Sequence, residues 1–432
     1  MLRFAPSPTG DMHTDDLRVA LLNYLAAIQR KEPFLVRIED VCKEDIIEGK
    51  DSEIMQILEK FAIVHDQVYH QSEHLRMHQT LAIRLLEEEK AFVCICSADD
   101  KEEMSLSNTA PECSGKCPDM DKSTYLQLKE RDEPFVIRIK EPKEAIVYHD
   151  LIKGESSIDP EEVRSVTILN TDGTPTATFA SACDDMLSNI SLVIHSRQRQ
   201  SEIPEQVHIK QMLGYTARTD YLHLPDMLDT NGSRIADTEG AYTVKHLFEQ
   251  GFIPDAIINY LLLLSNPDAP EEIFCFPEAL TWFKLEDIPQ SPALFDIEKL
   301  RLINREHLRN MDDKRLSSLF GFADSDIGKL VKLYLAEAAT INELAAKIRP
   351  ILAPKVFDGP WEKQMRKIQH LLIDAPMFQT FDELERYIAD ATGLKGESLL
   401  VPLQLLLTGT TNGPDLKEIY PYIRSYLLEV IS

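Results

Sequence analysis

Within its first forty residues the chain runs strand, helix, strand, and that order constrains the fold more than any other feature. The stretch LRFAPSPTG (2–10) reads as a short strand entering a loop, because neither proline can continue a helix interior. From Asp15 the period changes: Leu17, Ala20, Leu21, Tyr24, Leu25 and Ile28 fall on one helical face. FLVRIED (34–40) then returns as a strand of the buried type. A strand, a helix and a strand in so short a span form a βαβ unit, which requires a parallel sheet.

IEGKDSEIMQILEKFAI and SEHLRMHQTLAIRLLEEEKAFV read as two further amphipathic helices. PFVIRIK, AIVYHDLI and VTILNTDG are strands with little helix between them, so residues of about 95–180 read as an α+β insertion, and ISLVIHS restores the parallel-strand pattern. Beyond YLHLPDMLDTNG the chain turns helical, and from about residue 310 it is nearly all helix, punctuated by Pro350, Pro354 and Pro376. At 432 residues it is too long for one ordinary core, which implies two to four domains.

A net charge of −26 argues against non-specific nucleic-acid binding through bulk electrostatics and against a DNA partner. No apolar run approaches the roughly 20 residues that span a bilayer, and the start lacks the layout of a signal peptide, so a cytoplasmic chain without a membrane partner is expected. Four of the seven cysteines crowd one stretch: Cys94, Cys96, Cys113 and Cys117, spaced CxC, sixteen residues, CxxxC. In a reducing compartment two close pairs suit a tetrahedral, structural zinc ion; the alternative is four ordinary reduced thiols.

Along its whole length the chain resembles the glutamyl-tRNA synthetases, a class I family. The resemblance rests on FAPSPTGxxH, RIED, DGTPT before FASACDDMLSNISLVI, LGY and YLHLP, GAYTVKHLFEQGFIPDAIINYL, FDIEKLRLINREHL, and the closing LTGTTNGPDLKEIYPYIRSYL. The shorter C-terminal region and DDMLSNISLVI are similar to the branch that glutamylates tRNA-Gln as well as tRNA-Glu. The resemblance implies an α/β fold: a Rossmann-type catalytic domain (1–93 and 181–230), an acceptor-end-binding insertion (94–180), a stem-contact region (231–309) and an all-α anticodon-binding region (310–432). It also implies ATP and Mg²⁺, a tRNA partner (tRNA-Glu or tRNA-Gln), zinc at the cysteine cluster, and action as a monomer. The family's glutamate pocket maps onto Arg3, Ser7, Glu39, Ala177 and His195, and its ATP motifs onto Gly10, His13, Asp15, Asp16, Ser233, Arg234 and Asp237. His13 and Arg234 are the candidate catalytic groups. Arg3 suits a bidentate pair with a substrate carboxylate and Glu39 an α-ammonium; alternatively the two form a structural ion pair.

Several letters depart from the family pattern. Its first ATP motif, His-Ile-Gly followed by His or Asn, reads His13, Thr14, Asp15, Asp16, which sets a carboxylate in the space of the adenine ring and acids at a helix start that should receive phosphate. As capping acids the same residues would stabilise the helix, and His13 alone suits a plain hydrogen-bonding role. The lysine-rich second motif reads SRIADTE between Gly232 and Gly240, with Asp237 where the most important lysine would stand and Arg234 as the one base left. Val41, Cys42 and Asp45 replace the Thr, Asp and Arg that follow RIED. Ala177 replaces a tyrosine, and His195, Ser196, Arg197, Gln198 and Arg199 replace RGEDH. Arg197 and Arg199 alternate as a basic patch at a strand end would, or as a solvated face. These departures point to a family member whose activation chemistry is impaired or lost. The alternatives are an active or re-specialised ligase and a non-catalytic module that binds tRNA or protein.

Overall fold

Parallel pairing begins with β1 (Leu2–Phe4), which α1 (Thr14–Arg30) connects to β2 (Phe34–Ile38) in a register of Leu2 with Phe34 and Phe4 with Val36. The computed structural model describes residues 1–96, 113, 115–120, 123–238 and 240–432. Helix α2 (Lys50–Lys60) leads to β3 (Gln67–His70), and α3 (Leu75–Glu87) leads to β4 (Ala91–Cys94). After α4 (Ser123–Glu130) come β5 (Val136–Ile139), β6 (Ile146–Asp150), β7 (Gly154–Ile158) and β8 (Thr167–Leu169). Helix α5 (Ala177–Leu187), β9 (Leu192–Ser196), α6 (Ile203–Met212) and β10 (Asp220–Leu224) close the alternation.

Among the described residues the main sheet has the order β3-β2-β1-β9-β10-β6-β7, parallel throughout except for the antiparallel edge strand β7. Strands β1 and β2 are buried at every residue, as parallel strands covered on both faces must be. Helix α1 covers the sheet with Leu17, Ala20, Leu21 and Leu25, all buried; Tyr24 stacks on Phe276, whereas Ile28 in the last turn is exposed. A separate antiparallel sheet, β4-β5-β8, carries the insertion. Residues 146–158, which read as part of that insertion, extend the main sheet, because β6 pairs in parallel with β10.

The order reverses between β1 and β9, since the chain builds outward to β3 and then returns to the other side of β1. In an open parallel sheet, a reversal of this kind leaves a crevice at the carboxyl ends of the strands. The loop after β1 and the turn after β9 both open into it.

The described chain divides into two compact units, residues 1–245 with 261–295 and residues 246–260 with 296–432. The second is helical, with helices that include Ile297–Asn310, Ile341–Leu352, Phe381–Thr392 and Glu397–Thr408. Capping boxes start two of them, Thr340 with Glu343 and Thr380 with Glu383, so local chemistry fixes these boundaries. Pro350 lies inside the last turn of Ile341–Leu352 instead of preceding a break. No described helix is long and apolar enough to cross a membrane.

Candidate active site

The crevice between β1 and β9 has a volume of about 640 Å³, and its wall includes Arg3, Ser7, Gly10, His13, Glu39, Ala177 and His195. All five residues of the expected glutamate pocket therefore meet in one place. Backbone bonds hold the loop that crosses it: the Glu39 N–H donates to the Pro6 carbonyl (2.9 Å) and the Ile47 N–H to that of Pro8 (3.0 Å). The start of α1 is held in the same way, with the Thr14 N–H on the Tyr242 carbonyl and the Val244 N–H on that of Met12. A Cβ added at Gly10 would meet no atom within 4 Å, so the glycine leaves open space.

Strand alternation sets up the charges. Arg3 pairs in register with Leu35, so Arg37, two residues on, shares its face; Val193 and His195 lie on that face of β9, with Tyr221 opposite Val193 on β10. Helix α5 supplies the counter-charge. Asp185 accepts from Arg3 Nε (3.0 Å), Arg3 Nη2 (3.2 Å) and Arg37 Nη1 (2.7 Å), with Lys210 Nζ of α6 at 3.9 Å. Burial opposes ionisation of Asp185, but the three cations prevail and hold its pKa far below the ordinary carboxylate range. The same competition holds Glu39 at about 2: it accepts from Arg37 (2.9 Å), Arg199 (3.2 Å) and the Ser181 hydroxyl (2.7 Å). Arg3 and Glu39 are thus each paired, though with other residues and not with one another.

Arg3 Nη2 also reaches His195 Nε2 at 3.3 Å. A guanidinium can only donate, so Nε2 accepts and the ring proton sits on Nδ1. Burial, together with the Arg3 charge, pushes the pKa of His195 well down and keeps the ring neutral. Strand β9 ends at Ser196 and a 3-10 turn (Arg197–Glu202) follows, which separates the two arginines expected to share a face. Arg197 is exposed, whereas Arg199 turns inward to Glu39 and Glu202, so no shared basic patch forms.

At the other end of the crevice the lining acids are Asp11 and Asp16. Asp15, the residue expected in the adenine space, is buried beside Arg18 and Asp226 and is absent from the crevice wall. Asp16 keeps an accessible carboxylate, although the crevice walls ring it and it accepts from the His13 N–H (3.2 Å). That enclosure, with the Asp15 charge, raises its pKa to about 6. Lys50 pairs with Asp11 and Glu53. In the second loop Asp229 accepts from the Ser233 N–H (2.8 Å), and Arg234 is bound to Asp237 at 2.8 Å within the loop itself. Ala236 is the residue of this loop on the crevice wall; Glu239 lies outside the described residues. Asp16 and the Lys50-paired Asp11 thus line the wall that would face a triphosphate, and the loop's base is paired with Asp237.

The four sulfurs of Cys94, Cys96, Cys113 and Cys117 lie within 4.8 Å of one another, with Cys96 and Cys117 at 3.5 Å. A tetrahedral zinc with bonds of about 2.3 Å holds its sulfurs roughly 3.8 Å apart, so the cluster fits the ion. Burial among Phe92 and Val136 pushes the Cys94 thiol up to about 12, a cost that a bound cation would offset. Four thiolates would saturate the metal, so its role would be structural.

Sequence reasoning overlooked Asp185, Arg37, Ser181 and Lys210. The signal for Arg37 was available: a charge at an alternating position of a fully buried strand requires a partner.

The family model of class I tRNA synthetases (E and Q), catalytic domain, matches residues 1–302. The chain is 55% identical over 432 residues to glutamate–tRNA ligase 2 of Sulfurovum sp., and 44% identical over 435 residues to glutamate–tRNA ligase 1 of Nitratiruptor sp.; each match covers the whole of both chains. A crystal structure of a glutamate tRNA ligase from Elizabethkingia meningosepticum, in complex with its amino acid, superposes with a TM-score of 0.78 at 23% identity, covering 99% of this chain and 97% of that one.

Two outcomes follow from the site. Asp185→Asn leaves Arg3 and Arg37 buried and short of a counter-charge and is expected to destabilise the chain by about 3–5 kcal/mol, whereas Asp237→Ala removes an exposed pair worth about 0–1 kcal/mol. Urea denaturation measures both, and similar effects would contradict the assignment. The folded pKa of Asp16, about 6, lies above its ordinary 3.8, so the folded state takes up the proton first. The stability Asp16 contributes is then present below about pH 4 and lost as pH rises through about 6. Asp16→Asn should flatten that part of the thermal-stability profile, and an unchanged profile would refute the raised pKa.

Proposed function

Given that the chain belongs to the glutamyl-tRNA synthetase family, we propose that it is a tRNA-binding member in which activation of glutamate by ATP is impaired. The observation that carries this reading is Asp237 beside Arg234, because an acid stands where a lysine is expected and offsets the charge of the second loop's one base. Departing pyrophosphate would meet no unpaired cation from the described part of that loop. The amino-acid end of the crevice supports the same reading. Arg3 already gives Nε and Nη2 to Asp185, and Glu39 already accepts from Arg37, Arg199 and Ser181, so a substrate would meet groups whose charge is shared with internal partners.

In this proposal the insertion, residues 94–180, meets the tRNA acceptor end, 231–309 meet the stem and 310–432 the anticodon, with zinc held by Cys94, Cys96, Cys113 and Cys117 to staple the insertion. ATP and Mg²⁺ are the family's activating substrates. Full-length identity of 55% to a glutamate–tRNA ligase favours a second reading, a working or re-specialised ligase that rearranges these pairs on binding.

Glutamate-dependent exchange of pyrophosphate into ATP separates the two. Losing a major electrostatic contact to the reacting phosphates lowers turnover by roughly 10²–10³. Exchange should fall at least that far below the Sulfurovum relative measured alongside. A rate within about tenfold of it would overturn the proposal and establish a working enzyme.

A further inference from the structure

Helix α3 presents a second donor cluster that neither the crevice nor the cysteine group uses. A 3-10 turn, Gln71–His74, runs directly into α3, so His74 and His78, four residues apart, project from one face. Both rings converge on one carboxylate oxygen of α5: His74 Nδ1 lies 3.0 Å and His78 Nε2 2.8 Å from Asp184 Oδ1. Gln71 Nε2 holds the other oxygen at 2.9 Å and fixes the carboxylate's orientation. His78 and Asp184 are fully buried, while the His74 side chain is 37% exposed, which leaves one side of the cluster open to solvent. Tyr69 packs on His74, its ring centroid 4.5 Å from that of the imidazole.

We propose that His74, His78 and Asp184 form a three-ligand site for a borderline divalent transition-metal ion, with zinc as the probe. Two imidazole nitrogens and one carboxylate oxygen suit such an ion, and an i, i+4 histidine pair on a helix is a spacing that places both nitrogens on one metal. The three donor atoms lie within 4.8 Å of one another. Around a tetrahedral ion with bonds of about 2.0–2.1 Å they would stand roughly 3.3 Å apart, so each opens outward by a few tenths of an ångström. Beside the ligand atoms, His78 Nδ1 and Gln71 Oε1 are buried and have no hydrogen-bond partner among the described residues. Water or a small anion would take the fourth position beside His74. None of the three ligands lines the crevice, so the ion would clamp α3 to α5, the helix that also carries Ser181 and Asp185.

The test is metal content of the full-length chain after zinc loading and desalting, with cobalt(II) spectra as a second readout. His74→Ala should hold one zinc fewer per chain than the natural sequence while keeping the cobalt–thiolate charge-transfer band of the cysteine cluster. In a background with Cys94, Cys96, Cys113 and Cys117 all changed to serine, where that band is lost, His74→Cys should create a new one at the helix site. Unchanged zinc content in His74→Ala, or no new band in the cysteine variant when circular dichroism shows a native fold, would overturn the proposal.

Discussion

The contact on which the site depends is the pair of bonds between Arg3 and Asp185. It links the first strand to a helix almost two hundred residues later, and it lies at the switch point where β1 and β9 separate. Two arginines and a lysine converge on that carboxylate, and Arg37 passes the connection on to Glu39 and thence to Arg199. The charges in and behind the crevice wall are thereby one connected set of ion pairs. A buried set of this kind resists losing any single member, because the partner left behind has no water to turn to.

In the proposed reading the two ends of the crevice oppose activation for different reasons. At the amino-acid end the required groups are present, but each is already bound to a neighbour. At the phosphate end Asp11 and Asp16 occupy the wall, and the loop's arginine is held by Asp237. The cysteine and histidine clusters have the opposite character. In each, the donor atoms converge to within 4.8 Å of one another.

Much of this architecture was legible in the sequence. FLVRIED and ISLVIHS announced buried parallel strands, and the resemblance of their flanking motifs brought Arg3, Ser7, Glu39, Ala177 and His195 to one crevice. Side-chain direction was less accessible. Asp15 and Asp16 are neighbours in sequence, yet the helical turn of about 100° per residue sends one into the core beside Arg18 and the other into the crevice. Arg197 and Arg199 read as one patch only if the strand continues, and a 3-10 turn after Ser196 parts them. The role of Asp185 depends on a contact between distant elements, which no local pattern carries, and the joining of β6 to the main sheet is long-range pairing of the same kind.

The most direct measurement is single-turnover charging of tRNA with labelled glutamate, ATP and Mg²⁺ at high protein concentration. The predicted result is charging at least roughly 10²-fold slower than by the Sulfurovum relative, from a folded chain that still binds tRNA. Charging within about tenfold of that relative's rate would contradict it, since Asp16 and the Arg234–Asp237 pair would then not hinder activation.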